Sequence, residues 1–297
     1  MKILERSKVS IRYSDKPVGA EILGVDLSGN IDETTFSTIE RVFNENGMIF
    51  FRNQNLTPDA QIRFSRRFGE LEQHVRQEYA LPGYPEIHLI SNVKEGERSI
   101  GSAYAGDAWH TDLCFMKQPS RCSLLYALEV PVKDGKVLGS TEFASTQYAY
   151  DTLPEEMKRK IAMLQGIQQY HRRQEIKRKE RMKDHARPEL TAEQKAMTPD
   201  ITQPVVRTHP HTGRKCLYVN ETYTFGISGM PEDEAQPLLK SLSDHVTRPE
   251  YVYRHQWQVG DLIMWDNCST QHCAITDYAL PQRRLMHRTA IKGSVPF

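Results

Sequence analysis

Ala108-Trp109-His110-Thr111-Asp112 is the stretch from which the rest of this sequence is best read. On a strand or its exit loop, side chains two positions apart point to the same side, so His110 and Asp112 converge. An imidazole and a carboxylate at that spacing make two ligands of a facial metal site and need a third from elsewhere. The chain has 11 histidines to offer. The best placed is His272, which closes Trp265-Asp266-Asn267-Cys268-Ser269-Thr270-Gln271-His272 directly after an apolar run. From Asp112 to His272 is 160 positions, a separation that suits two neighbouring strands of a jelly roll. Two histidines and one carboxylate with open positions left over form the ligand set of non-haem iron(II) oxygenases. A plainer reading of the pair is a surface histidine hydrogen-bonded to a nearby aspartate. Trp109 and Phe115 add bulk that would keep water from a reactive centre.

Working outward, β-type runs recur along the whole chain, at 20–25, 48–51, 87–91, 122–128, 205–208, 217–219, 251–257, 261–265 and 286–291. Helices are fewer and marked by caps. Asp32 caps a helix with Phe36, Ile39, Val42 and Phe43 at helical spacing. Thr57-Pro58 opens a second, with Gly69 at its far end. Leu153-Pro154-Glu155 opens a third carrying Met157, Ile161 and Leu164, and Pro231 a fourth through Leu238, Leu239 and Leu242. Strands without regular βαβ alternation predict a mainly β fold with surrounding helices (α+β), a jelly roll. One domain over 1–297 is expected, with no internal repeat.

Composition excludes several classes. With 39 Lys+Arg against 38 Asp+Glu, no global field favours nucleic acid or an anionic membrane. No run nears the roughly 18 apolar residues of a membrane span. The start is charged and lacks an apolar stretch of the secretory kind. Five cysteines, an odd number without a CxxC pair, argue against a disulfide framework. A cytoplasmic enzyme is expected.

Two clusters remain. In Pro281-Gln282-Arg283-Arg284-Leu285-Met286-His287-Arg288, positions 284, 286 and 288 share one face of a strand. Arg284 and Arg288 then either point into the barrel beside His272, where a ligand carboxylate is the natural partner, or lie exposed at a strand end. His209 to Asn220 reads as a hairpin turning at Thr212-Gly213, with no chemistry assigned. The segment 171–204 is polar, with eight Lys/Arg and three acids between His171 and Arg187. It is expected as a solvated insertion, or as a lid closing over an anionic ligand.

Taken in order, Gly19-Ala20-Glu21-Ile22, Arg63 to Gly69, Trp109 to Asp112, His209 to Asn220, Trp265 to His272 and Arg283 to Arg288 resemble the taurine/2,4-dichlorophenoxyacetate dioxygenase family. The resemblance implies a cupin-like double-stranded β-helix and an iron(II)- and 2-oxoglutarate-dependent dioxygenase, using O2 and releasing succinate and CO2. It implies hydroxylation, with cleavage or desaturation as outcomes, of a small anionic substrate such as a sulfonate, carboxylate or aryloxyalkanoate. Carried over by position, His110, Asp112 and His272 would hold iron, and Thr141 and Arg284 would hold 2-oxoglutarate. Arg288, His74 and Phe225 would meet the substrate. A homo-oligomer, dimer or tetramer, is implied too. Gly106 and Gln77 depart from the taurine pattern. The competing classes are a zinc-dependent hydrolase on the same His/Asp/His set and a non-catalytic jelly-roll binding protein.

Overall fold

A computed structural model of the chain describes residues 9–103, 105–180 and 189–297. Its frame is a nine-stranded sheet among the described residues, whose central strands are Met48–Phe51, Leu262–Asp266, Ser120–Glu129, Leu285–Lys292 and Tyr84–Ser91, in that order. A three-stranded sheet, ordered Val252–His255, Thr141–Ser145 and Thr270–Ala274, completes the jelly roll.

The apolar runs become strands buried on both faces, and alternation sorts their side chains. From the strand Leu262–Asp266, Leu262 and Met264 pack outward with Phe36, Ile39, Val42, Phe43 and Phe64 of the helices Glu33–Asn46 and Pro58–Arg66. Ile263 and Trp265 point the other way, into a second core with Phe50, Ile90, Leu125, Met286 and, from the smaller sheet, Phe143. Two cavities open beside that inner layer.

Capping follows the sequence. The Asp32 carboxylate accepts from Thr35 N–H, and Thr57 Oγ1 accepts from Ala60 N–H. Helix Pro58–Arg66 stops before Gly69, which takes φ +141°. The third helix, Glu155–Ile161, ends before Leu164, and the expected strand at 217–219 lies earlier, at Lys215–Leu217. A hairpin forms with its turn at 209–214, but its first strand, Val206–Thr208, precedes the expected span and pairs with Lys215–Leu217.

The polar segment 171–204, expected as a solvated insertion or a lid, carries regular structure among the described residues. It begins inside the helix Tyr170–Glu180, continues as a helix Ala192–Met197 closed by a Thr191/Gln194 capping box, and ends in the sheet strand Ile201–Pro204. Short polar helices carry no apolar stripe, so periodicity could not find them. Residues 181–188 of that segment lie outside the described residues. Among the described residues, no helix is long and apolar enough to cross a membrane.

Candidate active site

Backbone pairing brings the two histidines together. His110 N–H donates to His272 C=O at 3.1 Å, and His272 N–H donates back to His110 C=O at 2.9 Å. Such a directly bonded antiparallel pair projects both side chains to one side of the sheet. The ring centroids lie 4.1 Å apart. Asp112 follows two positions on, and the ligand atoms of His110, Asp112 and His272 all fall within 4.8 Å of one another. All three residues are buried.

The surrounding bonds prepare these donors. His110 Nδ1 is 2.8 Å from Ala108 C=O, so Nδ1 carries the proton and Nε2 presents a lone pair, 3.7 Å from Asp112 Oδ1. Ser123 donates to Asp112 Oδ2 at 2.7 Å, and Asn267 Oδ1 accepts from both Asp112 N–H and Trp265 Nε1–H. Burial alone would raise the Asp112 carboxyl, but Arg288 and the two histidines outweigh it and hold the group well below its usual range. Burial, then the neighbouring His110, keeps His272 neutral, its basicity well below the ordinary value. His272 Nδ1 is a buried nitrogen with no partner among the described residues. Two neutral imidazoles with lone pairs to give and one ionised carboxylate fit a divalent iron. Leu113, directly after Asp112, takes φ +55°, a turn that no sequence pattern announced.

Two cavities meet at this cluster. One, of about 410 Å³, is lined by Thr141, Trp265, His272, Ala274, Arg284 and Arg288 among others. Thr141 Oγ1 accepts from Trp257 Nε1–H at 3.0 Å. Arg284 is 3% exposed and has no carboxylate partner among the described residues. Its hydrogen bond goes to Tyr278, and burial lowers its basicity. Its backbone is pinned by Ser91 and Asn92.

The other cavity, about 610 Å³, is lined by His74, Arg76, His88, Phe115, Tyr170, Lys177, Tyr223 and Arg288 among others. Arg288 Nη1 donates to Asp112 Oδ1 at 3.2 Å and borders both cavities. His74 Nδ1 accepts from Arg76 N–H at 3.1 Å. Burial first, then Arg288, pushes the His74 imidazole down to about 3.

Phe225 is the expected pocket residue that the structure places elsewhere. It is half-buried next to the buried Thr224 and lies under the Arg172 guanidinium, 4.7 Å from ring centroid to carbon. The aromatic wall is instead Phe115, Tyr170 and Tyr223, with Phe115 and Tyr170 stacked at 4.3 Å. Ser123, Asn267 and Lys177 also went unassigned in the sequence. His209, Asp266 and Cys268 form a second buried group of possible ligands. There, however, His209 Nδ1 accepts from His211 and Thr212 N–H, leaving Nε2–H to donate to Asp266 at 2.7 Å. That imidazole is satisfied, and Asp266 in turn ties down Cys268 and Ser269 N–H at the head of the loop to His272.

Residues 10–290 match the family described as "Taurine catabolism dioxygenase TauD, TfdA family". The chain belongs to this family. It is a 2-oxoglutarate-dependent dioxygenase, and the family sets aside the hydrolase and the non-catalytic readings. Among its relatives, the alpha-ketoglutarate-dependent 2,4-dichlorophenoxyacetate dioxygenase of Burkholderia sp. (strain RASC) is 33% identical, covering 90% of this chain and 89% of its own. The alkylsulfatase of Acinetobacter baylyi is 32% identical, over 97% of this chain and 86% of its own. A taurine dioxygenase structure from Burkholderia xenovorans superposes with a TM-score of 0.79 at 28% identity, covering 97% of this chain and 90% of that one.

Proposed function

We propose that this dioxygenase hydroxylates a small organic anion, with iron(II) on His110, Asp112 and His272 and 2-oxoglutarate on Thr141 and Arg284. Bound there, the metal and the keto acid supply oxidation by O2, with succinate and CO2 released and oxygen added to the substrate. The observation that carries the reading is Arg284, a buried guanidinium without a carboxylate among the described residues, in a cavity beside the His/Asp/His cluster. A buried cation needs an anionic guest, and the planar fork suits the distal carboxylate of 2-oxoglutarate. Trp257 occupies one lone pair of the Thr141 hydroxyl, leaving its proton to donate to the same ligand.

For the organic substrate, Arg288 supplies positive charge and His74 a proton. Because His74 Nδ1 accepts from Arg76 N–H, the neutral imidazole keeps its proton on Nε2, ready to donate. An anionic head on this pair and an apolar body against Phe115, Tyr170 and Tyr223 describe an aryloxyalkanoate, sulfonate, carboxylate or sulfate ester. Relatives named for 2,4-dichlorophenoxyacetate, (S)-phenoxypropionate and sulfate esters support that range. Hydroxylation next to oxygen or sulfur gives a product that falls apart, so the net reaction is cleavage. Five free cysteines fit a reducing cytoplasm, and the family resemblance supports a dimer or tetramer.

Succinate release under air with iron(II) and 2-oxoglutarate, across a panel of these anions and with a chelator control, tests the reading. Turnover that ignores iron or 2-oxoglutarate refutes it.

A further inference from the structure

The helix Tyr170–Glu180 forms a roof over the 610 Å³ cavity, although it has no apolar stripe to hold it there. Tyr170, Gln174 and Lys177, at i, i+4 and i+7, share one helix face and line the cavity. Its first turn is anchored by Tyr170 on Phe115. Two turns on, Lys177 Nζ lies 2.7 Å from Asp107 Oδ1, and Arg173 Nη2 lies 3.6 Å from the same oxygen. The Lys177 and Asp107 side chains are only 7% and 17% exposed, so their attraction escapes the screening that weakens a surface pair.

Asp107 is well placed to transmit that hold. Its neighbour Gly106 takes φ +76° and passes so close to His110 that an added Cβ would sit 3.0 Å from Cε1. Gly106 C=O accepts from Ala274 N–H at 2.7 Å, on the strand that carries His272. The 105–107 segment is thus fixed to the cluster wall at one side and to the roof helix at the other.

We propose that Lys177 and Asp107 are a positioning pair that latches the roof helix over the organic substrate, acting through Tyr170 and Gln174. This rests on reading the 610 Å³ cavity as the substrate site. No residue of the helix lines the 410 Å³ cavity, so the latch governs the organic substrate and leaves 2-oxoglutarate binding alone.

The test uses the full chain with iron(II) and 2-oxoglutarate, as Lys177→Met, Asp107→Asn and the exchanged pair Lys177→Asp/Asp107→Lys. Hydrogen exchange is followed at the amides of 170–180, with circular dichroism confirming the fold. Both single variants are expected to exchange about tenfold faster there, the factor that 1.4 kcal/mol gives. The exchanged pair recovers most of the protection, and amides of Thr141–Ser145 stay unmoved. With 2,4-dichlorophenoxyacetate as probe, the single variants raise its KM about tenfold and leave that of 2-oxoglutarate unchanged. Unchanged exchange at 170–180 in folded single variants overturns the proposal, as does an exchanged pair no better protected than either single variant. A wild-type chain that forms no succinate with iron and 2-oxoglutarate refutes the function instead, while the exchange measurement still decides the latch.

Discussion

Arg284→Met should make the protein more stable and less able to hold 2-oxoglutarate. The guanidinium is 3% exposed, with Tyr278 as its hydrogen-bond partner and no carboxylate among the described residues. Desolvating an ion costs several kcal/mol in real proteins, and a single phenol offsets only part of it. Methionine has similar length and no charge to desolvate. A gain of about 1–2 kcal/mol in the ligand-free protein follows, and each kcal/mol raises Tm by roughly 2–4 °C at about this chain length. The loss on ligand binding is larger. Hydrogen bonds to charged groups are worth about 1.5–3 kcal/mol each, so losing two weakens 2-oxoglutarate by more than about a hundredfold. Differential scanning fluorimetry with and without the keto acid reads both effects. At a hundred times Kd the wild type gains about 2.7 kcal/mol from ligand, and the variant should gain almost nothing. Arg283→Met is the matched control, because Arg283 is exposed and paired with Glu129. An Arg284→Met protein that keeps the 2-oxoglutarate-induced shift, or that melts well below the wild type, refutes the argument.

Three further outcomes are expected. Ser123→Ala removes the donor to Asp112 Oδ2 and should weaken divalent metal binding about 10–100-fold with the fold intact, read by titration with manganese(II). Gly106→Ala forces a Cβ to within 3.0 Å of His110 Cε1 at φ +76°, so the same titration should show a comparable loss, together with lower stability. His287 is pushed down to about 4 by burial, so the unfolded chain binds the extra proton between pH 6.5 and 4. Its contribution to stability is therefore full above pH 6.5 and shrinks as pH falls, by up to about 1.4 kcal/mol per unit. Urea unfolding at pH 7, 6 and 5 should show a shallower acid slope for His287→Gln than for the wild type.

What could be read from residue order was what depends on short spacing. His110 and Asp112 announce themselves two apart, and the runs at 48–51, 122–128 and 261–265 announce strands because both faces of each are buried. Phe225 was placed by family resemblance and not by spacing, and it lines neither of the two cavities described above. On the strand Thr224–Ile227 the buried positions are Thr224 and Ile227, and Phe225 is half-buried between them. Lys177 lay in a segment too polar to suggest burial, and its tertiary partner Asp107 helps make that burial tolerable. Leu113 gave no hint either, since nothing in a leucine foretells a positive φ. Arg284 and Arg288 were left between two faces of the barrel, and only the pairing of Leu285–Lys292 with Tyr84–Ser91 and Ser120–Glu129 decides for the interior.

The direct bonding of His110 to His272 also dictates when the centre can come into being. A nascent chain that has not yet reached His272 owns at most two of the three donors. Tight binding of a metal by all three must therefore wait for the strand Thr270–Ala274. Until that strand is made, a half-made polypeptide lacks the complete donor set.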